Sequence, residues 1–223
     1  MEEKKTIKKV LIIILIVLVI GILGILFHMV RNFIIISNLQ RTVKQYEEIT
    51  NYHIKTSYDD EAGHNEFDFY RKEDKRAFLI VNTNQSGEVI KLLTYDNGKR
   101  VDFFSETPST KTAQLDVGGS PNFAVTNGLE TDSAWDTFLA CFLARVKKSE
   151  YEGKECFIIK NFLSGSFLYD IEEDCIAYVD KETGLQFLRE DGKTTKYEYE
   201  FGNVDDSIFI EPNIGEYDLH SSH

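Results

Sequence analysis

The chain has 223 residues, of which 42% are hydrophobic, and its formal net charge at pH 7 is -12. Residues 1–31 carry five basic and two acidic groups, a net of +3, so the rest of the chain has a net charge of -15. Such an acidic surface repels phosphate backbones, which argues against a nucleic acid partner. It also disfavours flat docking on anionic lipid headgroups.

The first element is an apolar run over residues 10–30, VLIIILIVLVIGILGILFHMV, whose one ionisable side chain is His28. A helix of about 20 apolar residues crosses the hydrocarbon core of a bilayer. A lone span must satisfy all its backbone amides internally, which only a helix achieves. We therefore predict a transmembrane helix over residues 10–30. The roughly 190 residues that follow are enough for one domain with its own core.

Basic residues flank this span unequally. Arg31 follows it, whereas four lysines precede it, namely Lys4, Lys5, Lys8 and Lys9. Short basic flanks stay on the cytoplasmic side, so we predict a cytoplasmic N-terminus (residues 1–9) and an extracytoplasmic remainder. A cleaved signal peptide is the alternative. It normally has an apolar core of about 7–15 residues and a small-residue cleavage site. This run is longer and no A-x-A-like triplet follows it, so we expect an anchor that is kept.

Residues 31–50 predict a juxtamembrane amphipathic helix, continuous with the span or broken near Ser37 and Asn38. Its apolar residues recur every three to four positions, at Ile35, Leu39, Val43, Tyr46 and Ile49. One face of such a helix needs an apolar partner. That partner is either the helix's own domain or another chain.

From Asn51 onward the apolar period changes to two, which indicates a meander of antiparallel strands. We predict strands at 65–70, 77–81, 89–95 and 101–104, with shorter ones at 113–117 and 123–125. Asn97-Gly98 separates two of the apolar runs. An Asn-Gly pair in that position is a strong hairpin signal, because both residues tolerate positive φ.

One internal helix is predicted over about 133–147. Thr131 or Asp132 would cap its exposed amides. Its apolar face would contain Trp135, Phe138, Leu139, Phe142 and Val146. Trp135 is the only tryptophan of the chain, and its place in this face predicts a core position.

Strands resume after Glu152-Gly153, at 155–160, 166–171, 176–180, 185–189 and 194–201. Alternation of Tyr197, Tyr199 and Phe201 with charged residues is typical of a strand with one wet face. A short edge strand is predicted at 208–210.

Motifs for chemistry are weak. His53 and His64, with Glu66 or Asp68, are the candidate metal ligands, but no H-x-H or H-E-x-x-H spacing brings two imidazoles together. The acidic run over 170–174 lacks the ligand pattern of an EF-hand. No G-x-S-x-G or phosphate-binding glycine loop is present. We predict no metal site, no cofactor and no enzymatic activity.

Three cysteines leave two alternatives open. In an oxidising space Cys156 and Cys175 would pair and leave Cys141 free. Otherwise all three are ordinary buried thiols, which behave as small apolar residues. A core of this size does not need a disulfide.

The second half resembles LolA-like proteins, the lipoprotein-carrier and RseB-type envelope domains, and their membrane-anchored relatives in Gram-positive bacteria. The resemblance covers about the last 75 residues. It is carried by Tyr178-Val179-Asp180-Lys181-Glu182-Thr183-Gly184-Leu185, by Tyr197-Glu198-Tyr199-Glu200-Phe201 with Val204, by Ile210-Glu211-Pro212, and upstream by Glu152-Gly153-Lys154-Glu155-Cys156-Phe157.

The resemblance implies an α+β fold, in which a strongly curved antiparallel half-barrel is closed by packed helices. It implies binding of a lipid, a lipidated segment or an apolar peptide in the concave face, with no catalytic residues. Candidate ligand residues are the aromatics of two strands: Phe67, Phe69, Tyr197, Tyr199 and Phe201. Carriers of this family are soluble or lipidated, so a helical anchor favours local capture over shuttling. The alternative is a structural or regulatory envelope protein that contacts a membrane-protein partner through the anchor and residues 31–50, without a ligand cavity.

Overall fold

A computed structural model describes residues 2–46, 48–119, 125, 129, 131, 133–162 and 175–220, with side chains described from residue 9 onward. Helix α1 spans Glu2–Val43 and helix α2 spans Ala134–Ala140. Short 3-10 helices lie at Lys44–Tyr46, Asp206–Phe209 and Ile214–Glu216. The twelve strands are β1 Asn51–Asp60, β2 Gly63–Lys72, β3 Lys75–Asn84, β4 Val89–Asp96, β5 Val101–Glu106, β6 Lys111–Gln114, β7 Arg145–Tyr151, β8 Lys154–Lys160, β9 Ile176–Asp180, β10 Gln186–Glu190, β11 Thr194–Phe201 and β12 Asp218–Leu219.

All twelve strands form one sheet in the order β12-β6-β5-β4-β3-β2-β1-β11-β10-β9-β8-β7. Neighbours are antiparallel except β6 and β12, which run parallel. The sheet is curved and does not close, because β7 and β12 are its two edges. The α+β fold, an N-terminal apolar helix followed by a curved antiparallel sheet, is therefore confirmed. Short tight turns join most consecutive strands, as the turn residues in the sequence predict.

Helix α1 is one uninterrupted helix of 42 residues that passes through Ser37 and Asn38 without a break. Every described side chain from Lys9 to Phe27 is exposed. Beyond Phe27 a stripe of buried residues begins, spaced three or four positions apart, at Met29, Asn32, Ile36, Leu39 and Val43. This stripe packs on the chain's own sheet, so the predicted partner of the juxtamembrane helix is its own domain.

The pleat of the strands separates an inner face, which α1 covers, from an outer face. Ile36 and Leu39 pack against inner-face residues of β7, β8 and β9, namely Val146, Ile159, Ala177 and Val179. One turn later, Val43 packs with Tyr52 and Ile54 of β1 and Phe69 of β2. The helix thus crosses the sheet from its β7 edge toward its middle. A third cluster lies on the outer face and joins Phe104, Ala113 and Tyr217.

Gly184 allows α1 to approach the turn between β9 and β10. Its φ is +72°, and a Cβ built there would lie 2.8 Å from the carbonyl oxygen of Leu39. Any side chain at position 184 would therefore collide with helix backbone, besides adopting a strained conformation. The Lys181–Gly184 turn, which contributes to the resemblance noted above, is thus a contact point for the helix.

The internal helix is much shorter than predicted. Helix α2 ends at Ala140, and Arg145–Tyr151 form strand β7, so the predicted helix over 133–147 is wrong at its C-terminal end. Its N-cap is Ser133, whose side chain accepts a hydrogen bond from the Asp136 amide. Pairing of β7 with β8 overrides the local helical pattern, because it places Val146 in the core beneath α1. The core position predicted for Trp135 is also wrong, since its side chain is 64% exposed.

The C-terminal segment differs from the prediction as well. Residues 208–210 do not form an edge strand; they belong to and follow the 3-10 helix Asp206–Phe209, which the Asp205 side chain caps through the Ser207 amide. The added edge strand is instead β12. Strand β6 ends at Gln114, before Leu115 and Val117. The predicted strands at 166–171 and 123–125 lie outside the described residues, apart from Val125.

Candidate ligand-binding face

The inner face carries two neighbouring rows of side chains that cross the sheet at right angles to the strands. The registers of β11, β1, β2 and β3 align Tyr199, Ile54, Phe69 and Phe78 in the first row. Two residues further along each strand, the registers of β11, β1, β2, β3 and β4 align the second row: Tyr197, Thr56, Phe67, Ile80 and Leu92. Directly paired residues of antiparallel strands point to the same side, so each row forms a continuous band.

The end of helix α1 covers the first row. Val43 is buried there, and Tyr46 and Ile49 pack on the same cluster. The Tyr46 ring stacks on Phe201 with a centroid separation of 4.7 Å. Phe69 retains only 1% of its accessible surface. Three of the five predicted ligand residues, Phe69, Tyr199 and Phe201, therefore belong to a packed core cluster beneath α1.

The other two predicted residues, Phe67 and Tyr197, lie in the second row. Every member of this row is half-buried, in contrast to the buried Ile54 and Phe69 of the first row. The Phe67 ring stacks between those of Tyr58 and Phe78, at centroid distances of 5.7 Å and 6.3 Å. We call Tyr197, Thr56, Phe67, Ile80 and Leu92 the half-buried row.

The half-buried row is apolar along its length and polar at its margin. Burial is the main cause that raises the pKa of the Tyr197 hydroxyl, with the nearby Asp191 carboxylate acting in the same direction and the Arg189 charge against it. In the same β10–β11 turn as Asp191, the Lys193 ammonium lies 3.4 Å from the centroid of the Tyr58 ring. Five strands at a spacing of about 4.8 Å give the row a length of about 19 Å. That length matches about six residues of extended peptide, or an extended acyl chain.

A polar junction fastens α1 to the opposite end of the domain. The Ala144 carbonyl accepts a hydrogen bond from Asn32 Nδ2 at 2.8 Å, and His28 Nε2 lies 2.9 Å from the same oxygen. The Arg31 guanidinium donates to the Val146 carbonyl at 3.3 Å. Buried polar contacts of this kind fix the rotation of a helix, because leaving them unmade costs more than an apolar contact. Sequence patterns did not reveal this junction, although an asparagine in an otherwise apolar stripe is a usable signal.

The outer face of β1, β2 and β11 is charged. His53 Nε2 lies 2.7 Å from Asp68 Oδ1, and the His53 ring stacks on Tyr70 at a centroid distance of 4.1 Å. Burial raises the pKa of Tyr70 to about 12, and the Asp68 charge adds to the effect. The charged alternation along β1 and β2 predicts ion pairs of this kind in general, but not which residues pair.

The two histidines considered for a metal site are separated. His64 Nδ1 lies 2.8 Å from Asp59 Oδ1, and the registers place it opposite Asp59, six residues along β1 from His53. Six residues of strand span about 20 Å, so the two imidazoles cannot share an ion. Within the described residues, no group of three or more potential ligands comes together.

The cysteines are free thiols in this structure. Cys156 pairs with Asp180, whereas Cys175 precedes Ile176, which pairs with Lys160. The two thiols thus lie at opposite ends of the β8–β9 ladder, about 16 Å apart, well beyond the Cα separation of a disulfide. The disulfide alternative for Cys156 and Cys175 is therefore wrong in this structure. Burial raises the pKa of Cys141 to about 11, which makes it a poor nucleophile.

An open cleft of about 400 Å³ lies at the β6–β12 edge, between residues 107–111 and 215–218. Its lining is mainly polar and includes Lys111 and Glu216. Tyr217 lines it too, and its hydroxyl donates to the Glu106 carboxylate. The cleft is therefore unlike an apolar ligand site, and the half-buried row remains the candidate.

No protein-family model matches the chain, and no curated protein matches it. Among solved structures, the chain is similar to MucB, to MucB in complex with the periplasmic part of MucA, and to the MucA/MucB complex of Pseudomonas aeruginosa. The respective identities are 9%, 8% and 9%, and the TM-scores are 0.35, 0.34 and 0.35. The matches cover 79%, 77% and 78% of this chain but only 62%, 57% and 60% of the MucB chains.

MucB is an RseB-type protein with a LolA-like fold. TM-scores below 0.5 support no conclusion about this chain. The function proposed below is therefore derived from the chain's own geometry.

Proposed function

We propose that this chain is a single-pass membrane protein that presents its curved sheet outside the cell membrane and binds an extended apolar ligand segment along the half-buried row. Ligands of matching chemistry are a lipid chain, a lipidated segment or an apolar peptide. The single observation that carries the ligand site is the end of α1. Its cover stops at the first row, and the apolar surface of the sheet continues beyond it in the second.

The anchor is supported by the contrast along α1. Its large apolar side chains from Val10 to Leu26 are all 45% or more exposed, and that of Phe27 is 74% exposed. This apolar surface surrounds the helix and has no partner within the described chain. Such a surface is suited to contact with lipid acyl chains. The helix is the one described element that is long and apolar enough to cross a membrane. Lysines 4, 5, 8 and 9 favour a cytoplasmic N-terminus.

The binding site lies away from the bilayer. From Val30, where the apolar run ends, to Val43, where α1 ends, the helix rises about 20 Å. The first row, which Val43 covers, therefore lies well outside the bilayer, and the half-buried row is its neighbour in the sheet. This geometry suits capture of a ligand segment that reaches the domain from outside, on a domain that stays at one membrane face.

Photo-crosslinking from the row tests the ligand proposal. Full-length protein carrying p-benzoylphenylalanine in place of Phe67, and separately Ile80, is expressed in its membrane and irradiated. We expect adducts at both positions, with a mass that identifies an acyl chain or an apolar peptide. The matched control is the same substitution at Ile210, whose side chain is 70% exposed outside the row; no adduct is expected there.

A blocking variant guards against misfolding as an explanation. Thr56 lies in the middle of the row and is half-buried, so T56W fills the surface without removing a core side chain. We expect T56W to abolish the Ile80 adduct while the circular dichroism spectrum stays unchanged. Folded protein that forms no adduct at Phe67 or Ile80 would contradict the ligand proposal.

A regulatory role through α1 is the second candidate, and one observation favours it. Ile34 lies beyond the apolar run and is 54% exposed, although the neighbouring Ile36 is fully buried. Together with Asn38 and Arg41, which are also exposed, it forms a strip on the side of α1 that faces away from the sheet. Crosslinking from Ile34 or Lys44 to one specific membrane protein, with no adduct at Phe67, would favour this role over ligand capture.

A further inference from the structure

Three large apolar side chains are exposed together at one corner of the domain. Trp135 on α2 is 64% exposed, and Phe142 and Leu143, which follow α2, are 50% and 53% exposed. Ala140, Cys141 and Ala144, which adjoin them in sequence, are buried. We call Trp135, Phe142 and Leu143 the corner patch. Clustered exposed apolar residues mark a surface that meets something other than water.

The hydrogen-bonded junction fixes the height of the corner patch along α1. Ala144, the residue after Leu143, accepts the hydrogen bond from Asn32 and lies against His28. On α2, the Trp135 ring stacks on Phe138, and Phe138 meets Phe33 of α1 edge-on at 5.8 Å. The patch is therefore level with residues 28–33, where the apolar run of α1 ends. If α1 spans the bilayer, this level is the boundary between acyl chains and headgroups.

Three positive charges lie near the level of the corner patch, although the chain as a whole is acidic and Asp136 is exposed on α2. Arg31 lies at this level on α1, and the register of the β7 edge places Arg145 directly opposite Lys160. Like charges directly opposite each other are unfavourable in a sheet. Lipid phosphates at the headgroup level would supply a counter-charge to these three side chains.

We propose that the corner patch inserts into the headgroup–acyl boundary of the same bilayer that α1 crosses. This inference rests on the proposed membrane anchor and adds a second contact to it. Tryptophan prefers this boundary because its ring is apolar and its N–H is polar. With α1 and the patch both in the membrane, the domain cannot turn about the helix axis, and the half-buried row keeps one direction relative to the bilayer.

The single tryptophan makes the test specific. The full chain is reconstituted into vesicles of phosphatidylcholine and phosphatidylglycerol, with either ordinary or brominated acyl chains. Bromine quenches only tryptophan that touches the acyl region. We expect Trp135 emission to be blue-shifted relative to the denatured chain and quenched in the brominated vesicles. The variant F142S/L143S, which removes the rest of the patch, should show less quenching than the natural chain.

Two controls separate the patch from the rest of the surface. I210S removes an equally exposed apolar side chain elsewhere and should leave the quenching unchanged. In W135F/L219W the tryptophan moves to β12, where Leu219 is 62% exposed, and its emission should not be quenched.

The outcomes distinguish the patch from the anchor. Protein that resists alkaline carbonate extraction but shows no quenching of Trp135 overturns the membrane patch and leaves the anchor intact. Protein that carbonate extracts from the vesicles overturns the anchor and with it the patch. Efficient formation of covalent dimers by F142C with a bismaleimide in the vesicles would assign the patch to a second copy of the chain and overturn the lipid proposal.

Discussion

The two faces of the sheet alternate along the same strands but are stabilised by different physics. On β1, Tyr52 and Ile54 point inward and are buried under α1, whereas His53 and Lys55 point outward into a network of carboxylates. Inner-face stability comes from apolar area removed from water, which is large and independent of pH. Outer-face ion pairs are partly exposed, so each contributes little and responds to salt and pH. Mutations on the inner face should therefore change the free energy of unfolding more than mutations on the outer face. Only the outer-face effects should depend on salt and pH.

The largest effect is expected where α1 enters the inner face. Ile36 is fully buried, and Ile36→Ala should lower the free energy of unfolding of the domain by about 3 kcal/mol, because it leaves a cavity between α1 and β7–β9. Urea unfolding of the detergent-solubilised full chain, followed by circular dichroism, measures the change. Ile16→Ala removes the same atoms from the exposed part of α1 and should change the value by less than about 0.5 kcal/mol. Equal effects of the two variants would mean that α1 does not pack on the sheet as described.

Gly184→Ala tests the close approach of the β9–β10 turn to the helix. Its positive φ costs about 1 kcal/mol, and the collision of the new Cβ with the Leu39 carbonyl should raise the total loss to about 2 kcal/mol. Gly153→Ala is the matched control, since φ is +82° there and no atom lies within 4 Å of the added Cβ. It should show the φ cost alone. The difference between the two unfolding free energies therefore measures the helix contact, and no difference would rule that contact out.

Paired substitutions compare one contact from each region directly. A double-mutant cycle on Tyr46 and Phe201, which stack beneath the end of α1, should give a coupling energy of about 1 kcal/mol. On the outer face, Lys55 Nζ lies 3.1 Å from Glu66 Oε1 and both side chains are about one-third exposed. Their coupling should be about 0.5 kcal/mol. Repeating both cycles at high salt should reduce only the Lys55–Glu66 coupling energy. A Tyr46–Phe201 coupling energy that falls with salt would contradict the apolar nature of that contact.

The smallest effect is the pH dependence of the outer face. Hydrogen bonds to Asp59 and then Glu66 raise the pKa of His64 above its ordinary value of 6.5. A raised pKa in the folded state means that the contribution to stability is complete below about 6.5 and is lost as the pH rises through the folded-state pKa. The His64 side chain is 44% exposed, so screening keeps the loss below about 0.5 kcal/mol.

Unfolding free energies measured between about pH 5 and pH 8 check this sign. We expect the natural chain to lose slightly more stability over this interval than H64Q does. An NMR titration of the His64 ring gives its pKa independently. A value at or below 6.5 would contradict the ion pairs at this end of β1 and β2.

Local sequence patterns predicted those parts of the fold that depend on neighbours in the chain. The alternation of Tyr197, Tyr199 and Phe201 placed them on one face, and Asn97-Gly98 marked a turn, because both signals arise within a few residues. The first residues of strand Arg145–Tyr151 were wrongly predicted to be helical. Val146 fits a helical apolar stripe as well as it fits a strand. Its pairing with β8 is a contact between separate segments, which periodicity does not contain.

The candidate site shows the same division. Phe67 and Phe69 are identical residues two positions apart on one strand, and both were predicted as ligand contacts. Phe69 is buried in the cluster beneath the end of α1, whereas Phe67, one row away, is half-buried. Trp135 likewise belongs to a helical apolar stripe, but α2 buries Thr137 and Ala140 instead. These distinctions concern what covers a residue, which local sequence does not record.

The sequence alone determined the apolar helix, the α+β class and the two-faced strands, because hydropathy and alternation are properties of consecutive residues. Tertiary structure decided that the same helix continues into the inner face, which row of aromatics it covers, and which exposed side chains meet at the level where its apolar run ends. Each of these follows from the packing of α1 against distant strands. This packing requires Ala144, Gly184 and the β7 edge to fit against the same helix. All of these positions lie more than a hundred residues from α1 in sequence.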